Sequence, residues 1–579
     1  MLYPQMNTYR TIYDMNGFWR FKADVDVIGE KEQWHTGVPG DREIAVPASW
    51  NEQYDDLMYF MGTGWYQKEF ELPLDGGDKT YWLRVGSANY YTKVWVNGHY
   101  AGHNEGAHLP FEFDITSYLN VQDKNTVVIS VDAAIGKDRL PPGDVEDEMI
   151  VGFKGQYPNN YYDFFPYGGI QRPVQIIVKP RTHIAKLMVR TDVNEANTAG
   201  SVHYQVHLNE QAPGNVRIVC DGQVIESAVD RKGMAEGIIS VPNAQLWSPA
   251  SPNLYEFTVQ YVEQGEVKDK YSQQIGIRRI EIKGNQLLLN GEPVFLRGVG
   301  MHEDFPVLGK GLSHAVIAKD ISLIKWLGGN SLRTTHYPYS EEFLQHTDKE
   351  GILVIGESPF VGFVKSHYKD SAIIDKAAKV LTRMVERDCC HPSIIAWSLA
   401  NEPDSLDEGA GPFFKTLYDT VKGLDSSRPI TFVNCVDPDK DTAMQHMDFV
   451  SLNRYYGWYE QAGRLDEGCE VLDKALDRCH ERFGKPIIIT EYGADAMAGV
   501  HTNPPELFSE EYQAEMLTRQ YRIIKDKPYS IGAHVWALAD FKTSQTPSRV
   551  VVNRKGMFTR ERQPKLSAHR VKQLWDEEK

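Results

Sequence analysis

The feature that most constrains the fold is a series of eight short apolar runs in the second half of the chain. They occupy residues 294–303, 329–336, 352–357, 394–402, 430–434, 449–456, 487–493 and 533–541. Stretches between them, such as 315–328 and 375–388, space their apolar residues by three and four, the period of an amphipathic helix. Eight buried strands that alternate with crossovers predict a (β/α)8 TIM barrel over residues 281–579.

A doubly wound open sheet is the alternative fold for this region. Such a sheet normally has fewer strands, and no glycine-rich dinucleotide-binding sequence opens the first strand–helix unit. The strand count therefore favours the closed barrel.

The residues before this region have the pattern of β-sandwiches. Alternating runs at 66–73, 81–85, 93–98, 125–133 and 174–180 predict a jelly-roll domain over residues 1–180, with a hairpin turn at Asn97-Gly98. Residues 181–280 continue as short strands separated by turn-rich pieces, which is typical of an immunoglobulin-like β-sandwich. Three domains account for the chain.

Charge and hydropathy exclude several kinds of partner. The chain has 62 Lys and Arg against 79 Asp and Glu, a formal net charge of −17, which argues against nucleic acid and anionic membranes. It contains no run of 18 apolar residues, and its N-terminus lacks the apolar core of a signal peptide. The sequence therefore predicts a cytoplasmic protein.

Two glutamates follow apolar runs at positions where a barrel carries its chemistry. Glu402 ends the fourth run and Glu491 the seventh. Because functional groups lie at the C-terminal ends of barrel strands, the two carboxylates can face each other across the mouth. Glycoside hydrolysis needs such a pair, with one carboxyl protonated and the other ionised. Burial and the neighbouring carboxylate raise the pKa of the acid and so separate the two roles.

Further polar and aromatic residues lie in or at the ends of these runs and would share the same mouth: His302, His336, Asn401, Asn453, Tyr455 and Trp536. A pocket of this content suits polar ligands with flat apolar faces, such as sugars. The cluster that begins at His302 could suggest a metal, but no second cluster completes a ligand set. We therefore interpret His302 as part of the pocket wall and expect no metal and no cofactor.

Long stretches of the chain resemble glycoside hydrolase family 2. NSLRTTHYP from Asn330 with DKEGILVI from Asp348, and DCCHPSIIAWSLANE from Asp388, are similar to the two long signatures of that family. VWVNG from Val94 and YGGIQRPV from Tyr167 resemble its N-terminal jelly roll. The resemblance covers the whole chain.

Within the family the chain is most similar to members that act on glucuronides, through NRYYGWY from Asn453, ADFKTSQ from Ala539 and NRKGMFTR from Asn553. The resemblance implies that Glu402 is the acid/base and Glu491 the nucleophile. It implies a site in which Asn553 and Lys555 bind the uronate carboxylate, Arg549 and Tyr459 lie nearby, Asp163 reaches in from the jelly roll, and His302, His336, Asn401, Asn453, Tyr455 and Trp536 line the pocket.

The implied activity is retaining exo-hydrolysis of terminal β-linked glucuronic acid from conjugates or oligosaccharides, by double displacement. The implied partners are a β-glucuronide substrate and further copies of the chain, in a dimer or tetramer. A β-galacturonidase, a β-galactosidase and an inactive carbohydrate-binding homologue are the alternatives. The segment after the third run passes almost directly into a helix, which favours an open site.

A net negative charge does not exclude an acidic substrate. Charges farther than about 10 Å away are screened at 0.1 M salt, so the residues beside the ligand decide. A lysine supplies a compact positive charge with three donors, and an asparagine amide can orient a carboxylate. The basic residues after the eighth run, at the barrel mouth, therefore fit an acid-substituted sugar.

Overall fold

A computed structural model describes residues 1–73, 77–120, 123–143, 155–160 and 162–578. Three bodies of structure follow one another along the chain, two built from β-sheets and one from alternating strands and helices.

The first body, called the first sandwich below, pairs a six-stranded sheet (β3-β2-β4-β9-β6-β7) with a four-stranded sheet (β1-β10-β5-β8). Inward-facing apolar residues of both sheets form one core. Its strands are β1 Thr11–Asp14, β2 Gly17–Asp24, β3 Glu43–Val46, β4 Thr63–Phe70, β5 Lys79–Asn89, β6 Tyr91–Val96, β7 His99–Glu105, β8 Phe111–Asp114, β9 Asn125–Asp132 and β10 Gly169–Pro180.

The hairpin predicted at Asn97-Gly98 joins β6 to β7. Val96 pairs with His99, so the turn contains two residues. Both have positive φ, 50° at Asn97 and 79° at Gly98, as a type I′ turn requires.

The second body, called the second sandwich, packs a three-stranded sheet (β11-β12-β15) on a four-stranded sheet (β14-β13-β18-β19) around a separate core. Its strands, with one short hairpin, are β11 Ile184–Val193, β12 Ala199–Leu208, β13 Asn215–Cys220, β14 Gln223–Ala228, β15 Met234–Pro242, β16 Trp247–Ser248, β17 Ser251–Pro252, β18 Tyr255–Glu263 and β19 Glu266–Ile275. A small sheet of β20 Ile280–Lys283, β21 Gln286–Leu289 and β22 Glu292–Pro293 leads into the third body.

The third body is a closed parallel barrel, as predicted. Its strands are β23 Leu296–Met301, β24 Ser331–Thr334, β25 Leu353–Glu357, β26 Ile394–Asn401, β27 Ile430–Asn434, β28 Val450–Asn453, β29 Ile487–Tyr492 and β30 Ser530–Trp536. Its helices are α1 His314–Leu327, α2 Glu341–Glu350, α3 Lys365–Tyr368, α4 Ser371–Asp388, α5 Ala410–Leu424, α6 Leu465–Phe483, α7 Glu510–Asp526 and α8 Leu566–Asp576. A further hairpin, β31 Phe541–Lys542 with β32 Val552–Asn553, follows the last barrel strand.

Each predicted run contains or overlaps one barrel strand, but two details differ. The fifth crossover, residues 435–449, is described throughout and has two 3-10 turns where the alternating pattern predicts a helix. Pro438 and several aspartates leave this short segment without an apolar helical period. The eighth strand spans Ser530–Trp536: it begins three residues before the predicted start, and it ends at Trp536 because residues 537–540 lead into the β31 hairpin.

The segment after β25 reaches α3 at Lys365, which confirms the short connection predicted there. Among the residues that the structure describes, no helix is long and apolar enough to cross a membrane.

Candidate active site

The C-terminal ends of the barrel strands surround a cavity of about 620 Å³. Its wall comes from the barrel and from one loop of the first sandwich. The lining residues are Tyr162, Asp163, His336, Val361, Gly362, Asn401, Glu402, Cys435, Val436, Asp437, Pro438, Asn453, Arg454, Tyr455, Tyr456, Tyr459, Glu460, Ala475, Arg478, Glu491, Trp536 and Arg549.

Glu402 follows the last residue of β26 and is held in an uncommon backbone conformation. Its φ is 49°, in the left-handed region that residues other than glycine seldom adopt, and its N–H donates to the Val433 carbonyl at 2.9 Å. Strain of this kind is often found where a side chain must be aimed at a ligand. The carboxylate accepts one side-chain hydrogen bond, from Asn453 Nδ2 to Oε1 at 2.7 Å. Burial raises the pKa of Glu402.

Glu491 lies within β29 and is 4% exposed. Its Oε2 accepts a hydrogen bond from the Tyr455 hydroxyl at 2.5 Å, and its Oε1 accepts from Nη2 of Arg333. Burial raises the pKa of Glu491, the Arg333 charge opposes that rise, and the charge of Glu402 adds to it.

Asn453 connects the two glutamates. It pairs with Glu491 in the parallel register of β28 and β29, while its amide donates to Glu402. Its Oδ1 accepts from the Thr490 hydroxyl at 3.0 Å, which fixes the orientation of the amide. Both carboxylates therefore face one cavity but differ in their donors: a guanidinium and a phenol for Glu491, a neutral amide for Glu402. Ionic and phenolic donors stabilise an anion, so these contacts oppose the effect of burial, which still raises the pKa of Glu491 to about 8.

Arg333, on β24, is a functional residue that the sequence reasoning missed. It is fully buried and donates from Nη1 to both oxygens of Glu357, at 2.9 and 2.7 Å, and from Nη2 to Glu491. One guanidinium thus connects two buried carboxylates. The available signal was an arginine inside a predicted barrel strand, because a buried charge needs a partner.

His336 and Trp536 form the wall beside Glu491. Their rings stack at 5.2 Å between centroids, and His336 Nε2 lies 3.8 Å from Oε1 of Glu491. His336 Nδ1 contacts Glu357 at 2.9 Å. Burial lowers the pKa of His336, which favours the neutral imidazole.

Lys555 lies just after the β31–β32 hairpin and is 1% exposed. Its Nζ donates to Oδ2 of Asp495 at 2.6 Å and to the Tyr459 hydroxyl at 3.0 Å. Asp495 is a second residue that the sequence reasoning missed. Its carboxylate holds the ammonium group toward Tyr459, a lining residue.

Asp163 reaches this basic group from the first sandwich. Its carboxylate accepts from Asn553 Nδ2 at 2.9 Å and from Nε of Arg549 at 3.1 Å. Arg549 Nη2 also donates to the Tyr459 hydroxyl at 2.6 Å. Two sequence-distant segments thus place two cations, an amide and a phenol around one end of the cavity.

The structure brings most of the predicted site residues to the cavity wall: Asp163, His336, Asn401, Glu402, Asn453, Tyr455, Tyr459, Glu491, Trp536 and Arg549. His302, Asn553 and Lys555 lie behind these lining residues. His302 packs among aromatic rings, 4.8 Å from Phe164 and 4.4 Å from Phe541 between centroids, and its Nδ1 lies 3.0 Å from the Tyr337 hydroxyl. The sequence reasoning missed the lining contributed by residues 435–438 of the fifth crossover.

Comparison with known proteins agrees with this geometry. Three family models match: "Glycosyl hydrolases family 2, sugar binding domain" over residues 12–180, "Glycosyl hydrolases family 2" over 174–278, and "Glycosyl hydrolases family 2, TIM barrel domain" over 280–579. A β-glucuronidase of Paenibacillus borealis is 40% identical over 100% of this chain and 99% of its own length.

Solved structures show the same likeness. A β-glucuronidase from an uncultured Clostridium species superimposes with a TM-score of 0.91, at 36% identity and 100% coverage of both chains. A β-glucuronidase of Bifidobacterium dentium, solved with coumarin-3-O-glucuronide, superimposes with a TM-score of 0.93, at 34% identity, covering 100% of this chain and 98% of that one.

Proposed function

The chain belongs to glycoside hydrolase family 2, and we propose that it is a retaining exo-β-D-glucuronidase. It would release terminal glucuronic acid from β-linked conjugates or oligosaccharides. The observation that carries the proposal is a basic group beside the cavity that Glu402 and Glu491 line: Arg549 is part of the cavity wall, and Asn553 and Lys555 lie behind it in contact with the lining residues Asp163 and Tyr459. The relatives described above are β-glucuronidases that match this chain over almost their full length, and they support the same substrate.

Recognition of the uronate carboxylate would depend on positive charge and on the orientation of hydrogen-bond donors. Lys555 supplies an ammonium whose other contacts, Asp495 and Tyr459, fix its position. Arg549 supplies a planar guanidinium suited to a carboxylate. Asn553 adds a neutral donor. Asp163 accepts hydrogen bonds from Arg549 and Asn553, and its carboxylate oxygens would also contact a sugar hydroxyl.

The chemistry would proceed by two displacements. Glu491, held as an anion by Arg333 and Tyr455, attacks the anomeric carbon and forms a covalent glycosyl-enzyme. Glu402, whose pKa burial raises, gives its proton to the leaving oxygen and then takes a proton from water. This mechanism requires carboxyl groups about 5–5.5 Å apart and retains the β-configuration.

A panel of p-nitrophenyl glycosides at one pH tests the proposal. We expect rapid hydrolysis of the β-D-glucuronide and much slower hydrolysis of the β-D-galacturonide, β-D-galactoside and β-D-glucoside. A higher kcat/KM on the galacturonide or galactoside would replace the proposed substrate. Binding of the glucuronide without any release of nitrophenol over hours would indicate a carbohydrate-binding protein.

A further inference from the structure

A buried ion network joins the first sandwich to the barrel next to the uronate-binding group. Glu52 and Tyr167 come from the first sandwich, and Asp304, Lys542 and Arg560 come from the barrel region. The four charged side chains are 4–15% exposed, and their formal charges cancel.

Arg560 is the centre of this network. Its Nε donates to Asp304, its Nη2 donates to the Tyr167 hydroxyl at 2.9 Å, and the same nitrogen lies 3.2 Å from Oε1 of Glu52. The planar guanidinium spreads its donors over three nitrogens and so contacts acceptors from both bodies at once. Burial alone would raise the pKa of Glu52, but Arg560 and Lys542 outweigh it and hold the pKa below its usual value.

Lys542 connects the network to the site. Its Nζ donates to Oε1 of Glu52 at 2.7 Å, and its backbone N–H donates to Asp304 at 3.1 Å. Lys542 lies in β31, which pairs with β32, so that Phe541 lies opposite Asn553. The hairpin that carries Asn553 is therefore attached to the first sandwich through Lys542.

The loop that carries Asp163 runs along the same hairpin. The Phe165 N–H donates to the Lys542 carbonyl at 3.0 Å, and Tyr157 exchanges two backbone hydrogen bonds with Gln545, at 3.0 and 2.8 Å. Asp163 lies two residues from Phe165, and Tyr167 of the network lies two residues beyond it.

We propose that Arg560, together with Lys542 and Glu52, is a positioning residue that sets the distance between Asp163 of the first sandwich and Asn553 of the barrel. Arg560 is not among the residues that line the cavity, and within the described part of the chain it makes no hydrogen bond to Glu402 or Glu491. The inference rests on the proposed function, because it assigns these residues to uronate binding. Loss of the network lets the Asp163 loop shift against the β31–β32 hairpin and weakens substrate binding, while the chemistry of Glu402 and Glu491 is unchanged.

A double-mutant cycle on p-nitrophenyl β-D-glucuronide tests this role. Arg560→Met should raise KM about tenfold, as expected when a binding group loses its position, and leave kcat within about twofold. Asp163→Ala should raise KM as well. Adding Arg560→Met to Asp163→Ala should produce no further rise, because Arg560 acts through Asp163. If the two effects multiply instead, the proposal is overturned.

Two controls keep the experiment decisive. Arg84→Met removes an arginine that is more deeply buried, 3% exposed against 15% for Arg560, and that joins the first sandwich to α2 through Glu341; it should lower the melting temperature without changing KM. A tenfold rise in KM for Arg84→Met would show that any interdomain loosening has this effect and would overturn the specific role. If Arg560→Met does not fold, Lys542→Met takes its place in the cycle. If Asp163→Ala is too slow to assay, calorimetry measures the affinity of the same four proteins for D-glucuronate. Effects of the two substitutions that multiply would again overturn the proposal.

Failure of this inference is distinguishable from failure of the proposed function. A wild-type enzyme that does not hydrolyse the glucuronide contradicts the function. A wild-type enzyme that hydrolyses it, with multiplying effects in the cycle, contradicts only the role of Arg560.

Discussion

The side-chain amide of Asn453 lies 2.7 Å from Oε1 of Glu402, and its backbone pairs with that of Glu491. One residue at the end of β28 thus sets the relation between the acid/base and the nucleophile that we propose. The difference between the two carboxylates comes from their other partners: among the described residues, Arg333 and Tyr455 donate hydrogen bonds to Glu491 and not to Glu402. The division of roles therefore has testable consequences.

Glu402→Ala should affect substrates according to their leaving groups. On a phenyl glucuronide, whose oxygen needs a proton to depart, we expect kcat/KM to fall about 10²–10⁴-fold. On a 2,4-dinitrophenyl glucuronide the loss should be much smaller, because the dinitrophenolate departs without a proton. Steady-state kinetics on both substrates checks this. An equal fall on both would mean that Glu402 does not act as the acid.

Tyr455→Phe should move the pH dependence of kcat/KM. The Tyr455 hydroxyl donates to Glu491 and so lowers the pKa of that carboxyl. Without the hydroxyl the pKa of Glu491 rises, protonation begins at higher pH, and the acidic limb should shift upward by about one pH unit, equivalent to ~1.4 kcal/mol. Tyr456→Phe is the matched control, since its hydroxyl makes no contact with Glu491 among the described residues, and its acidic limb should stay in place. A downward shift for Tyr455→Phe would contradict the assignment.

Arg333→Lys should lower both activity and stability. A lysine keeps one positive charge but cannot contact Glu357 and Glu491 together, so one buried carboxylate loses its partner. Breaking a buried pair costs about 3–5 kcal/mol. The melting temperature and kcat should both fall. Arg278→Lys alters another buried arginine, whose side chain donates, among the residues that the structure describes, to the Pro392 and Ile394 carbonyls alone; it should lower the melting temperature without lowering kcat. An unchanged kcat for Arg333→Lys would refute its role at Glu491.

Lys555→Met should reduce the preference for acidic sugars. Charge-assisted hydrogen bonds contribute about 1.5–3 kcal/mol, so we expect kcat/KM on the glucuronide to fall about 100-fold. The slow hydrolysis of a neutral β-glucoside should stay the same. Arg554→Met removes the neighbouring cation, whose side chain donates to the Val550 carbonyl, and should leave both rates unchanged. An equal loss on both sugars for Lys555→Met would argue against a carboxylate-binding role.

The sequence predicted the parts of the site that depend on local position. Glu402 and Glu491 each end an apolar run, and closure of the barrel brings the strand ends together. The Asn97-Gly98 hairpin was likewise predictable, because two residues that tolerate positive φ allow few other turns.

The rest of the site depends on contacts between side chains that are far apart in the sequence, and no local sequence pattern indicates such contacts. Arg333 lies inside a run that reads as an ordinary strand, and its partner Glu491 is 158 residues away. Asp495 and Lys555 are 60 residues apart and meet only because the segment after β29 packs on the loop after β32. The fifth crossover differed from the prediction because alternation of strands and helices was extrapolated to a segment with no helical period. The spacing of residues in the sequence could not place Asp163, because its position depends on how its loop in the first sandwich packs against the β31–β32 hairpin of the barrel region.

The most direct test of the central claim is covalent labelling with 2-deoxy-2-fluoro-β-D-glucuronyl fluoride, followed by mass spectrometry of proteolytic peptides. A retaining glucuronidase with Glu491 as its nucleophile should lose activity over time and carry one fluoroglucuronyl group on the peptide that contains Glu491. Addition of p-nitrophenyl glucuronide should protect against labelling. An adduct on the Glu402 peptide, or continued turnover of the glucuronide with no adduct on any peptide, would contradict the account.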